Sequence, residues 1–123
     1  MRVLIIDDSV DTTFLLSRCL ETCGHDIQAT FDAHSAMAIA QNWRPDAVCL
    51  DIALPDEDGY VLARRLRTEA GLRDILIVAT SGYVDDEARR VASGIDAHLL
   101  KPFSMRRLRD ILTTWQSTGR LAD

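Results

Sequence analysis

The chain has 123 residues, 47% apolar and 27% charged, an ordinary composition for one globular domain that buries its own core. Fourteen Lys and Arg against 19 Asp and Glu give a formal charge of -5, so no general attraction to nucleic-acid backbones or anionic membranes is expected. The opening MRVLIIDDSV holds an apolar run too short for a signal peptide or a membrane span, and the expectation is a cytoplasmic protein.

The first run, Val3 to Ile6, has the length and branched residues of a strand buried on both faces, and it runs out into Asp7-Asp8. Leu15, Cys19 and Cys23 then step by four beside Leu16 and Leu20, with Gly24 where a left-handed cap belongs, which predicts a helix. Ile27 to Ala29 is a weaker strand. Ala33, Ala36, Met37 and Ala40 stripe a second helix behind Asp32 as N-cap. A third strand, Ala47 to Leu50, ends in Asp51, and Leu62 and Leu66 sit on a helix opened after Gly59. Ile75 to Ala79 predicts a fourth strand running into Thr80-Ser81. Ala88, Val91 and Ala92 mark a fourth helix, with Asp85, Asp86 and Glu87 complementing its dipole and Gly94 closing it. Ala97 to Leu100 leads into Lys101-Pro102, and Leu108, Ile111, Leu112 and Trp115 make the last helix. Beyond Trp115 the periodicity stops, so a domain over 1–115 and a frayed tail over 116–123 are expected.

Five short strands alternating with five helices imply an α/β fold with a parallel sheet and helices on both faces. The length excludes a closed eight-fold barrel, leaving an open doubly wound sheet whose functional crevice lies beyond the carboxyl ends of the strands. Those ends deliver Asp7, Asp8 and Asp51, a hydroxyl from Thr80 or Ser81, and Lys101 to one edge. Each alone has a plain reading; Asp8, for example, could cap the helix beginning near Ser9. Together they cost too much without a cation, since two carboxylates about 5 Å apart repel by roughly 3 kcal/mol at an effective dielectric near 20. All-oxygen ligation without His or Cys points to Mg²⁺ or Mn²⁺. A hard cation beside a carboxylate, a hydroxyl and a lysine is an arrangement for phosphoryl transfer, with the carboxylate as nucleophile.

Four segments, VLIIDDS, DAVCLDIALPDEDG, ILIVATSGY and GIDAHLLKPF, stand in an order and spacing that resembles the receiver domain of two-component response regulators, from Arg2 to about Trp115. The resemblance implies a flavodoxin-like fold with strand order 2-1-3-4-5. It implies Asp51 as phosphoacceptor, Asp8 as a direct metal ligand, Asp7 as an outer ligand acting largely through water, and the Ala53 carbonyl as a further ligand. Lys101 would pair with the phosphoryl group, and the Lys101-Pro102 bond would be cis. Asp51 also stands apart from Asp56 and Asp58 because it ends a buried strand, whereas they lie in the following loop. Ser81 rather than Thr80 is the expected coupling hydroxyl: it falls at the family's usual interval from Asp51, and the choice needs one loop deletion instead of two single ones, one of them beside a buried strand. His98 occupies the place where many response regulators carry a switch Tyr or Phe, so Ser81 and His98 are the expected switch pair, although a lone His also reads as an exposed strand residue.

The implied partners are a histidine kinase or histidine phosphotransfer protein and a downstream protein, with no nucleic acid and no membrane. The chain would not be an enzyme but a phosphoacceptor that assists its own phosphorylation and slow dephosphorylation. With no room for a DNA-binding output domain, it reads as a stand-alone receiver or a piece of a hybrid sensor kinase, Met1 favouring the former. Two rivals stand beside this: a receiver-like interaction module that is never phosphorylated, and an aspartyl phosphatase, which typically has a second acid where this chain has Ala53. No Gly-rich loop follows the first strand, which disfavours a dinucleotide site. Arg106, Arg107 and Arg109 read as a solvated face. The odd cysteine count and the lack of zinc or dithiol-motif spacing make Cys19, Cys23 and Cys49 small buried hydrophobes.

Overall fold

The computed structural model describes residues 1–121. Strands β1 (Arg2–Ile6), β2 (Asp26–Thr30), β3 (Ala47–Asp51), β4 (Leu76–Ser81) and β5 (Ala97–Leu100) alternate with helices α1 (Val10–Thr22), α2 (Ala33–Trp43), α3 (Gly59–Thr68), α4 (Glu87–Ala92) and α5 (Met105–Thr118). All four strand pairings are parallel and the order is β2-β1-β3-β4-β5, the doubly wound flavodoxin-like arrangement expected. No helix among the described residues is long and apolar enough to cross a membrane.

Strand alternation splits the core in two. Leu4, Ile6, Val48, Leu50, Ile77 and Ala79 face one side, where Ala36, Met37, Leu62 and Leu66 of α2 and α3 cover them. Val3, Ile5, Cys49, Leu76, Val78 and Leu99 face the other, against Leu16 and Leu20 of α1 and Leu108 and Leu112 of α5. Every strand residue from Val3 to Ile6 and from Ala47 to Asp51 is buried, whereas edge strand β2 is mostly exposed, which is why its apolar run is weak.

Several expectations need correction. The buried stripe of α1 is Thr13, Leu16 and Leu20; Leu15 is exposed, Cys19 half-buried and Cys23 exposed, so only Cys49 behaves as a buried hydrophobe. Two four-step stripes lie one residue apart here, and Thr13 can be the buried member because its hydroxyl donates to the Val10 carbonyl (2.9 Å). Strand β4 extends through Thr80 and Ser81, whose backbones pair with Asp51 and Leu100. Helix α4 buries none of its residues; Ala88, Val91 and Ala92 are solvent-facing. Helix α5 continues past Trp115 to Thr118 and ends at Gly119, whose φ of 71° is a left-handed cap. Leu121 packs back against the α1 and α5 side of the core, while Ala122 and Asp123 of the expected tail lie outside the described residues.

Candidate functional site

Parallel registry sets the carboxyl ends of β1, β3, β4 and β5 side by side, so residues just past them converge. Asp7 continues β1, its N–H donating to the Thr30 carbonyl (3.1 Å), and the residue is only 3% exposed. Its Oδ1 accepts the Ser9 N–H (2.9 Å) and its Oδ2 accepts Lys101 Nζ (3.0 Å). Asp51 closes β3 at 6% exposure; Oδ1 accepts the Ala53 N–H (3.1 Å) and Oδ2 accepts the same ammonium (3.3 Å). Asp8 is exposed, and oxygens of Asp7, Asp8 and Asp51 all lie within 4.8 Å of one another. Asp8 does not cap α1: Ser9 does, its side chain accepting the Thr12 N–H (3.2 Å).

Two carboxylates thus share one ammonium, and a third, Asp8, stands beside them with no contact to it. Burial pushes the Asp51 carboxyl above the usual aspartate range; the Ala53 N–H and Lys101 pull it down, and the negative charge of Asp7 pushes it up again. Burial works against the Lys101 charge, yet the Asp7 hydrogen bond and the Asp51 charge outweigh it and hold the ammonium above its ordinary value. An acidic cluster left short of positive charge, with donors that are all oxygen, fits a hard divalent cation.

The Lys101-Pro102 peptide is cis, as expected. Thr80 lies opposite Asp51 in the sheet, and Ser81 is one residue farther along. The Ser81 hydroxyl accepts the Tyr83 N–H (3.2 Å) and lies 2.9 Å from the Tyr83 carbonyl and 2.8 Å from His98 Nε2. A hydroxyl has one proton, so when Ser81 donates to the Tyr83 carbonyl it receives its third bond from a protonated Nε2. Ser81 and His98 are therefore in direct contact, and the half-buried His98 is not a free strand residue.

The loop after β3 is shaped by residues whose structural part the sequence reading did not assign. Ala53 and Asp58 form an antiparallel bridge, and the Gly59 N–H donates to the Ile52 carbonyl (2.9 Å). A Cβ on Gly59 would stand 2.5 Å from Ile52 Cα and 2.9 Å from the Asp51 carbonyl oxygen, so only glycine lets α3 start against the backbone of Asp51. Asp58 caps α3 through the Tyr60 N–H (2.7 Å), and Asp56 reaches across to accept the Ala33 and His34 N–H groups of α2 (2.9 and 3.1 Å). Both loop aspartates are thereby engaged in holding backbone, away from Lys101. The signal for this was the short DEDG run itself, where acids adjoin a helix start.

The response regulator receiver domain family model matches residues 3–113. The DNA-binding dual master transcriptional regulator RpaA of Synechocystis is 36% identical over 109 residues, covering 87% of this chain and 45% of that protein. The virulence transcriptional regulatory protein PhoP of Salmonella choleraesuis is 36% identical over 104 residues, covering 84% and 46%. A two-component response regulator from Clostridium difficile superposes with a TM-score of 0.88 at 25% identity, covering 96% of this chain and 97% of that one. A CheY-like receiver domain protein from Methanospirillum hungatei gives the same TM-score and identity over 96% and 94%. The chain therefore spans less than half of the two regulators and nearly all of the two solved chains.

Proposed function

The chain belongs to the response regulator receiver domain family, and on that premise we propose that Asp51 accepts a phosphoryl group from a phosphohistidine on a histidine kinase or histidine phosphotransfer protein. The observation that carries this is the Lys101 ammonium bridging Asp7 and Asp51 at the common edge of the sheet, with Asp8 beside them. An Asp51 oxygen forms the new bond to phosphorus while the donor's P–N bond breaks and its electron pair returns to the imidazole. The Ala53 N–H holds the other oxygen and so fixes the carboxylate plane. Lys101, already charged between the carboxylates, turns to the phosphoryl oxygens. Asp8, Asp51 and the Ala53 carbonyl would hold Mg²⁺, with Asp7 acting largely through water. When bound, this ion supplies positive charge to the phosphoryl oxygens.

Ser81 is the hydroxyl we assign to the phosphoryl group. To donate to a phosphoryl oxygen it gives up donation to the Tyr83 carbonyl, and His98 Nε2 can follow through the bond it already makes. Added charge near -2 at the strand ends thus biases the Ser81, Tyr83 and His98 set toward a second arrangement that a downstream protein reads. At a formal charge of -5 this domain itself is not the part that would grip nucleic acid.

Incubation with Mg²⁺ and a small acyl phosphate, read by intact mass, tests the reading. One phosphoryl adduct that decays slowly is expected, absent from Asp51→Asn and retained in Asp56→Asn. No adduct on the parent chain would leave an interaction module, and fast multiple turnover would make it a phosphatase.

A further inference from the structure

The sulfur-bearing face of α1 has no part in phosphoryl transfer. Cys19 and Cys23 are both free thiols, half-buried and exposed. One helical turn separates them, which puts their Cβ atoms about 5–6 Å apart on one face. Both line a single cavity of about 120 Å³ between the end of α1 and the start of α5, together with Met105 and Arg109. The walls are fixed: Leu16 and Leu20 anchor α1, and Leu108 and Leu112 anchor α5, in the same buried cluster. Thr22 Oγ1 donates to the Cys19 carbonyl (2.7 Å), pinning the last turn from which both thiols project.

The donors present select the ligand. Among the described residues no His, Asp or Glu lines this cavity, so zinc, which needs four ligands, finds only two thiols there. Two thiolates with a thioether nearby suit a soft monovalent ion content with two or three sulfurs. Two thiolates and one such ion carry a net charge of -1, and the Arg109 guanidinium on the cavity wall offsets it. The third cysteine is no competitor: Cys49 is 2% exposed within β3, and burial pushes its thiol up to about 12.

We propose that Cys19 and Cys23 form a two-thiolate site for cuprous ion, walled by Met105 and balanced by Arg109. Binding releases one proton from each thiol, so that two thiols and Cu⁺ give a bis-thiolate anion and two protons, with no change of oxidation state. The last turn of α1 leads away from the strand ends that carry Asp7, Asp8 and Asp51, and the soft and hard sites share no residue.

The test is an anaerobic titration of the reduced full chain with Cu⁺ against a chromogenic cuprous chelator. One equivalent should be withdrawn from the chelator, and Cys19→Ser or Cys23→Ser should each weaken retention by at least about tenfold, because losing a ligand costs more than losing its supporting contacts. Cys49→Ser should bind like the parent chain, and circular dichroism confirms that each variant is folded. Retention unchanged in both α1 variants, loss in Cys49→Ser alone, no withdrawal by the parent chain, or equal competition by Zn²⁺ would each overturn the proposal. The readout is independent of phosphorylation.

Discussion

Helices α3 and α4 touch each other yet are held by opposite means. Helix α3 sinks Gly59, Leu62, Ala63 and Leu66 into the core, whereas α4 buries none of its six residues. What holds α4 is a set of arginines. Arg64 donates to the Ala92 carbonyl (3.0 Å), and Arg67 donates to the Gly94 carbonyl just beyond the helix (2.7 Å from Nη2). Arg89 of α4 itself pairs with Asp58 (3.0 Å) and lies 4.2 Å over the Tyr60 ring. Burial ties α3 to global unfolding, while a polar tether lets α4 move or open without disturbing the sheet. The tethered element adjoins Ser81, Tyr83 and His98, so a helix without buried residues of its own sits beside the hydroxyl we assign to signalling.

If α3 is held by burial and α4 by polar ties, truncating the two helices should cost very different amounts. Leu66→Ala removes a fully buried side chain and should lower unfolding free energy by about 2–5 kcal/mol. Val91→Ala, at a position 64% exposed, should change it by no more than about 0.5 kcal/mol. Urea unfolding with a shared m-value measures both. A Val91 loss comparable with that of Leu66 would mean that α4 is packed after all.

Arg67 is the next test. Besides Gly94, its guanidinium donates to the carbonyls of Leu72, Arg73 and Ile75 and pairs with Asp96, whose carboxylate also accepts the Ile77 N–H (2.9 Å). At 16% exposure these are largely desolvated bonds to a charged donor. Arg67→Met, which keeps the stem but removes the donors, should cost about 2–3 kcal/mol and speed amide exchange from Gly94 into β5 more than in α2. Exchange accelerated uniformly over the domain would show that Arg67 supports the whole fold and not the α4 side in particular.

How far the sequence discloses this contrast depends on what each signal measures. Apolar runs buried on both faces mark β1, β3 and β4 because a central parallel strand has no solvent side, and the carboxyl ends of such strands share an edge by topology alone. That made the Asp7, Asp8, Asp51 and Lys101 cluster legible. Burial of a helix face is different: Ala88, Val91 and Ala92 show helical spacing as well as Ala33, Ala36 and Ala40 do, but spacing cannot say whether a surface lies opposite. In α1 the stripes through Leu15 and through Leu16 differ by one residue, and only the packing against α5 decides between them. The arginine contacts depend on long side-chain torsions that no local pattern encodes. The strand signal failed at the end of β4 for the opposite reason, since polar Thr80 and Ser81 stay in the ladder and are nonetheless buried.

Arg89 gives a smaller effect. Its ion pair is exposed on both sides, so Arg89→Ala should cost only about 0.5–1 kcal/mol, the ring contact included. The effect should concentrate in faster amide exchange across α4, with α3 unchanged. Protection lost in α3 instead would mean that Asp58 needs Arg89 to hold the α3 cap.

The smallest effect concerns acid, and it separates the two kinds of polar tie. The Ala33 N–H holds the Asp56 carboxyl below the usual aspartate range; slight burial opposes this, and the His34 N–H adds to it. A depressed folded value means that this contact contributes fully above the unfolded value, about 3.9 for aspartate, and is lost as pH falls through the folded one. The bonds from Arg64 and Arg67 to the Ala92 and Gly94 carbonyls contain no group that titrates in that range. Acid should therefore loosen the loop from α2 before it loosens the C-terminal end of α4. Thermal unfolding followed from pH about 5 downward should show a shallower loss of Tm in Asp56→Asn than in the parent chain, because the amide oxygen can still accept the Ala33 N–H, though not the His34 N–H as well, and has no proton to take up. Identical slopes would remove Asp56 from the acid response. Backbone shifts followed by NMR over the same range should move first at Ala33 and His34, and movement beginning at Ala92 and Gly94 would reverse the order argued from the two kinds of partner.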